Sequence, residues 1–143
     1  MLPTIWGVIL AMAAALLARL AGFDRDRAFY PIVLIVVASY YDLFAVMGGS
    51  RSDLVEEFVA TLLFAAAAII GFRTSLWLVA AGLAAHGIFD VFHRGLIANP
   101  GVPAWWPAFC ASYDVAAAAC LALLLRFAAP GSRTSPASPV RRA

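Results

Sequence analysis

Two imidazoles and a carboxylate recur as His86-x3-Asp90-x2-His93, a spacing that at 100° per residue places all three on one stripe of a helix. Imidazole and carboxylate one turn apart can chelate a single ion, and Asp114 or Glu57 from elsewhere in the chain would complete its ligand set. His86, Asp90, His93, Asp114 and Glu57 are therefore the candidate metal ligands, and a divalent metal is the cofactor they suggest. Asp42 and Cys110 join them as candidate lining of one polar pocket. Cys110 and Asp114 fall on a helical face with Ala117, and Asp42 falls on one with Ala38 and Ile35.

The same residues admit two other readings. In the first they handle protons, since histidine is the side chain that changes charge near neutrality. In the second they pair across helices and fix their registry, with no ligand involved. Plain roles exist residue by residue as well. Glu56 and Glu57, with Asp53, suit the positive end of a helix; Cys110 suits packing; Tyr40, Tyr41 and Tyr113 suit packing or an interface. H-x3-D-x2-H is no established signature. There is no Cys-x2-Cys or Cys/His zinc spacing, no Ser/His/Asp or Cys/His nucleophile arrangement and no phosphate-cradling loop. Whether the chain is an enzyme stays open and no catalytic residue is assigned, but metal binding or proton handling ranks ahead of covalent catalysis.

These groups need elements to carry them, and the elements are apolar. The chain has 143 residues, 64% of them hydrophobic, with a mean hydropathy of +0.92. That exceeds what a soluble domain of this length can hide in a core, so the expected solvent and first partner is a lipid bilayer. Runs near 4–21, 29–48, 54–72, 76–92 and 105–127 are each about long enough to cross ~30 Å of hydrocarbon. The predicted fold is an all-α, polytopic bundle of about five transmembrane helices spanning residues 1–128, followed by a disordered Pro/Ser/Arg tail over 129–143. The connections are short, so neighbouring helices should be antiparallel. Cys110 and Cys120 lie ten residues apart in one run, ~15 Å along a helix, too far to bridge. Met1 to Ile5 holds no Lys or Arg, which argues against a cleaved signal peptide.

Arginine placement orients the bundle. Arg19, Arg25, Arg27, Arg73, Arg126, Arg133, Arg141 and Arg142 fall on one side and only Arg51 and Arg94 on the other. The positive-inside rule puts the larger group in the cytoplasm, the amino terminus outside and the carboxyl terminus inside. Trp6, Trp105 and Trp106 then sit at the outer interface, with Phe29, Tyr30 and Trp77 at the inner one. The basic residues are thus explained by topology, and no nucleic-acid partner is expected. At 1.5 Å per residue from the outer helix ends, Asp42 would lie ~9 Å deep, His86 ~10 Å, Asp114 ~13 Å, and Asp90 and Glu57 ~5 Å. Ionisable groups inside a bilayer cost at least ~2.5 kcal/mol each on insertion scales, so they are expected to face other helices. The inferred pocket opens outward beneath the connection Arg94 to Ala104.

The stretches Arg27 to Tyr41 (RAFYPIVLIVVASYY) and Leu96 to Cys110 (LIANPGVPAWWPAFC) resemble those of an uncharacterised family of short bacterial polytopic membrane proteins. The resemblance implies a bacterial inner (plasma) membrane and supplies no activity. The sequence thus describes an integral membrane protein with a polar His/Asp/Glu pocket that holds a metal ion or handles protons. The rival reading is a structural or accessory subunit packed against a larger membrane protein, or a homo-oligomer, with small-residue faces as its contacts.

Overall fold

A computed structural model describes residues 1–25, 27–48 and 51–127. They form five helices: α1 (Leu2–Ala21), α2 (Phe29–Gly48), α3 (Arg51–Arg73), α4 (Leu76–Leu96) and α5 (Trp106–Phe127). All five are long and apolar enough to cross a membrane, and no strand occurs among the described residues. The tail expected over 129–143 lies outside the described residues.

Local signals set the helix ends. Pro3 stands in the first turn of α1, where its missing N–H costs nothing. Gly22 closes the same helix in the left-handed conformation at φ 81, donating its N–H to Ala18, a role open to a residue without Cβ. The Ser75 side chain caps α4 by accepting from the Trp77 N–H at 3.3 Å. Two boundaries depart from the hydropathy pattern. α3 begins at Arg51 and α4 continues through His93 and Arg94 to Leu96, so each is longer at the end where polar residues gather. The helix dipole accounts for both: Asp53 lies in the first turn of α3 and the two basic residues in the last turn of α4, where such charges are favoured.

The packing order differs from the chain order. α1 lies on α5, α5 on α4, α4 on α3 and α3 on α2, while α2 also meets α4 and α5. α1 buries only Gly7, Ala11 and Ala18, a narrow stripe of small residues that seats it against α5. An apolar core of Leu34, Ala68, Val79, Leu83 and Leu121 fills one half of the bundle, and a smaller cluster of Tyr41, Phe44 and Val102 lies towards the α4–α5 connection. Between them Glu57, His86, Asp90, His93 and Asp114 are buried, while Leu17, Ile32, Leu63, Ile88 and Leu123 are exposed. Water-soluble domains arrange these residue types the other way round.

Candidate metal centre

α4 supplies most of the site. Its buried face runs Val79, Leu83, His86, Asp90, His93, the helical stripe expected from the spacing. Gly87 lets α5 come close: a Cβ there would lie 3.0 Å from the Ala111 carbonyl oxygen and 3.2 Å from Val115. The facing stripe of α5 is Cys110, Asp114, Ala117 and Leu121. At this close approach His86 Nδ1 stands 2.6 Å from Asp114 Oδ2 and 3.6 Å from Asp90 Oδ2. The Cys110 thiol lies 3.8 Å from Asp114 Oδ2. From α2, the Tyr41 hydroxyl donates to Asp90 Oδ1 at 2.6 Å.

His86, Asp90, Cys110 and Asp114 thus offer four ligand atoms lying within 4.8 Å of one another, all on buried residues. His86 Nε2, Asp90 Oδ2 and Asp114 Oδ1 are buried without a hydrogen-bond partner. Buried polar atoms are ordinarily satisfied, and the two carboxylate oxygens are acceptors that a cation would engage. The described salt bridges bring no arginine to this centre. One nitrogen, carboxylate oxygens and one sulfur form a donor set for a borderline transition metal such as Zn2+, and unlike the all-oxygen shells of Mg2+ and Ca2+.

A second polar layer lies nearer the α4–α5 connection. His93 Nε2 is 2.7 Å from Glu57 Oε1. Asn99 Nδ2 donates to the same oxygen at 2.8 Å and to the Tyr41 carbonyl at 3.1 Å. Asn99 Oδ1 in turn accepts from the Gly101 N–H at 3.1 Å, which holds the turn over the end of α2. The Tyr41 ring stacks on His93, with centroids 4.0 Å apart and planes at 18°. Tyr41 therefore touches both layers, one with its hydroxyl and the other with its face.

The residues singled out by sequence separate accordingly. His86, Asp90 and Asp114 come together, and Cys110, read as pocket lining, joins them as a fourth donor. His93 and Glu57 pair with each other one turn away. Asp42 stands apart, half-buried and beside Thr61 of α3, because one residue beyond Tyr41 it points 100° around the helix. The outward opening is also corrected: Glu57, His86, Asp90, His93 and Asp114 are each at most 1% exposed, sealed by Tyr41, Phe64 and Phe89, whose rings contact the imidazoles. With α4 ending at Leu96, His86 lies ~15 Å and Asp90 ~9 Å from the end of the helix, farther than the hydropathy-based boundary implies.

Tyr41 and Asn99 are the participants that sequence reasoning passed over. The signal for Tyr41 was its place in the spacing Leu34, Ala38, Tyr41, Ala45, all buried in α2. Asn99 opens an Asn-Pro-Gly sequence, whose ordinary role is a turn. Comparison of the chain with protein-family models, with curated proteins and with solved structures finds no match.

Proposed function

We propose that this chain is a multi-pass protein of a bacterial inner membrane, amino terminus outside and carboxyl terminus cytoplasmic, that holds a divalent transition-metal ion, zinc by preference, at His86, Asp90, Cys110 and Asp114. The observation that carries this is the convergence of four buried donors from two helices within 4.8 Å. Exposed acids gather on protein surfaces for many reasons, but buried carboxylates need a compensating charge. Binding deprotonates the Cys110 thiol, so beside a neutral His86 the carboxylates of Asp90 and Asp114 and the Cys110 thiolate supply the negative charge that a divalent cation offsets. Four protein donors in a closed setting suit a structural or stored ion, since catalytic zinc keeps an open position for water or substrate.

Elemental analysis of detergent-purified protein tests the reading. One equivalent of metal per chain is expected in the wild type, falling to background in His86→Ala and Asp114→Ala. A wild type that carries no ion, even after reconstitution with zinc, would overturn it.

A second reading is favoured by the two 2.6 Å bonds, Tyr41 to Asp90 and His86 to Asp114. In it the polar groups only lock α2, α4 and α5 in register, and the protein serves as an accessory subunit of a larger membrane assembly. That reading expects the same variants to lose stability while no sample contains metal.

A further inference from the structure

A cleft opens at the other end of the bundle from the polar centre. α1 packs on α5, while α2 packs on α3 and α4, so the first two helices are not held against each other. The space beside them is a cavity of about 550 Å3, walled by Met12 and Leu16 of α1, Tyr30 of α2, and Leu121 and Leu124 of α5. Its lining is mostly apolar, with Cys120 and Tyr30 in its wall and Arg19, Asp24 and Arg27 at the α1–α2 connection.

Three features of this polar mouth point to a ligand. Tyr30 is 5% exposed, and its hydroxyl is buried without a hydrogen-bond partner. Asp24 accepts from Arg19 at 3.1 Å through Oδ2, while its Oδ1 is buried and unpartnered. Arg27 donates to the Phe72 carbonyl at 3.3 Å and has no carboxylate partner among the described residues. Over residues 19–27, three arginines stand against Asp24 and Asp26, leaving one positive charge. Basic pockets of this kind between membrane helices bind lipid head groups.

We infer that the cleft binds an anionic phospholipid with a hydroxyl-bearing head group, of the phosphatidylglycerol class. The phosphate pairs with Arg27 and accepts from the Tyr30 hydroxyl. A head-group hydroxyl donates to Asp24 Oδ1, and an acyl chain lies along Met12, Leu16, Leu121 and Leu124. A single net negative charge balances the mouth, and a choline head group lacks any donor for Asp24. The inference rests on the membrane placement proposed above and is independent of the metal.

Native mass spectrometry of the full-length protein, titrated with phosphatidylglycerol, phosphatidylethanolamine and phosphatidylcholine, tests it. Phosphatidylglycerol should be retained in preference to both others. Arg27→Gln should weaken that retention about fivefold, the effect of one basic side chain at a lipid surface, and Arg27→Lys should restore it, a contrast that misfolding would not produce. Tyr30→Phe should weaken it without changing the fold. Equal retention of the three lipids, preference for phosphatidylethanolamine, or no effect of Arg27→Gln and Tyr30→Phe would overturn the inference.

Discussion

Tyr41 is the residue on which the two polar layers depend. Its hydroxyl fixes Asp90 Oδ1 and leaves Oδ2 facing His86, so it acts on the centre through a carboxylate. Partners of this kind typically alter metal affinity 10–100-fold when removed. Tyr41→Phe keeps the ring stacked on His93 and removes only the O–H. It should weaken metal binding by that factor, read by competition with a chelator, while costing about 1 kcal/mol of stability, as interhelical hydrogen bonds in membranes do. Cys110→Ser, which replaces a soft donor by a hard one, should weaken zinc more than it weakens magnesium. His86, Asp90 and Asp114 of this centre could be picked out from the sequence because ionisable residues in apolar runs have few uses. Tyr41 and Asn99 could not, since a tyrosine near a helix end and an Asn-Pro-Gly turn each have an ordinary explanation. Asp42 satisfied the same rule as Asp114, and only its angular position on α2 separates it from the centre.

Close approach of α4 to α5 is the geometric condition for the site. The two helices meet at Gly87, where an added side chain would press on the Ala111 carbonyl and Val115. Backbone cannot give way as a flexible side chain can, so Gly87→Val should force the helices apart and separate His86 from Asp114. Overpacking of this sort costs about 1–3 kcal/mol; the variant should purify with little metal and a lowered melting temperature. Gly95 on the same helix has nothing within 4 Å of an added Cβ. Gly95→Ala should therefore leave metal content unchanged, and any stability change should be a gain from helix propensity. Hydropathy located all five helices, because crossing a bilayer demands a long apolar run. It misplaces the start of α3 and the end of α4, because charged residues interrupt an apolar run, whereas Asp53 at a helix start and His93 and Arg94 at a helix end complement the dipole. The sequence order also concealed that α1 packs on α5, a partner more than a hundred residues away in the chain.

For the whole molecule, the distribution of polarity is the governing fact: among the described residues many large apolar side chains are exposed, while Glu57, His86, Asp90, His93 and Asp114 are buried. In a bilayer the outer surface is in its preferred solvent, and the buried acids are kept from lipid by neighbouring helices. The proposed orientation, with the amino terminus outside, is tested separately. A reporter fused to the carboxyl terminus should be active in the cytoplasm and inactive in the periplasm, and the reverse result would invert the bundle without moving the centre within it. The central claim is that His86, Asp90, Cys110 and Asp114 bind one metal ion together, and electronic absorption of the cobalt-substituted protein tests it most directly. The account predicts the intense visible bands of tetrahedral Co2+ and a thiolate charge-transfer band in the near ultraviolet that Cys110→Ser removes. Failure to retain cobalt, or the weak spectrum of a hexahydrated ion unaffected by Cys110→Ser, would contradict it.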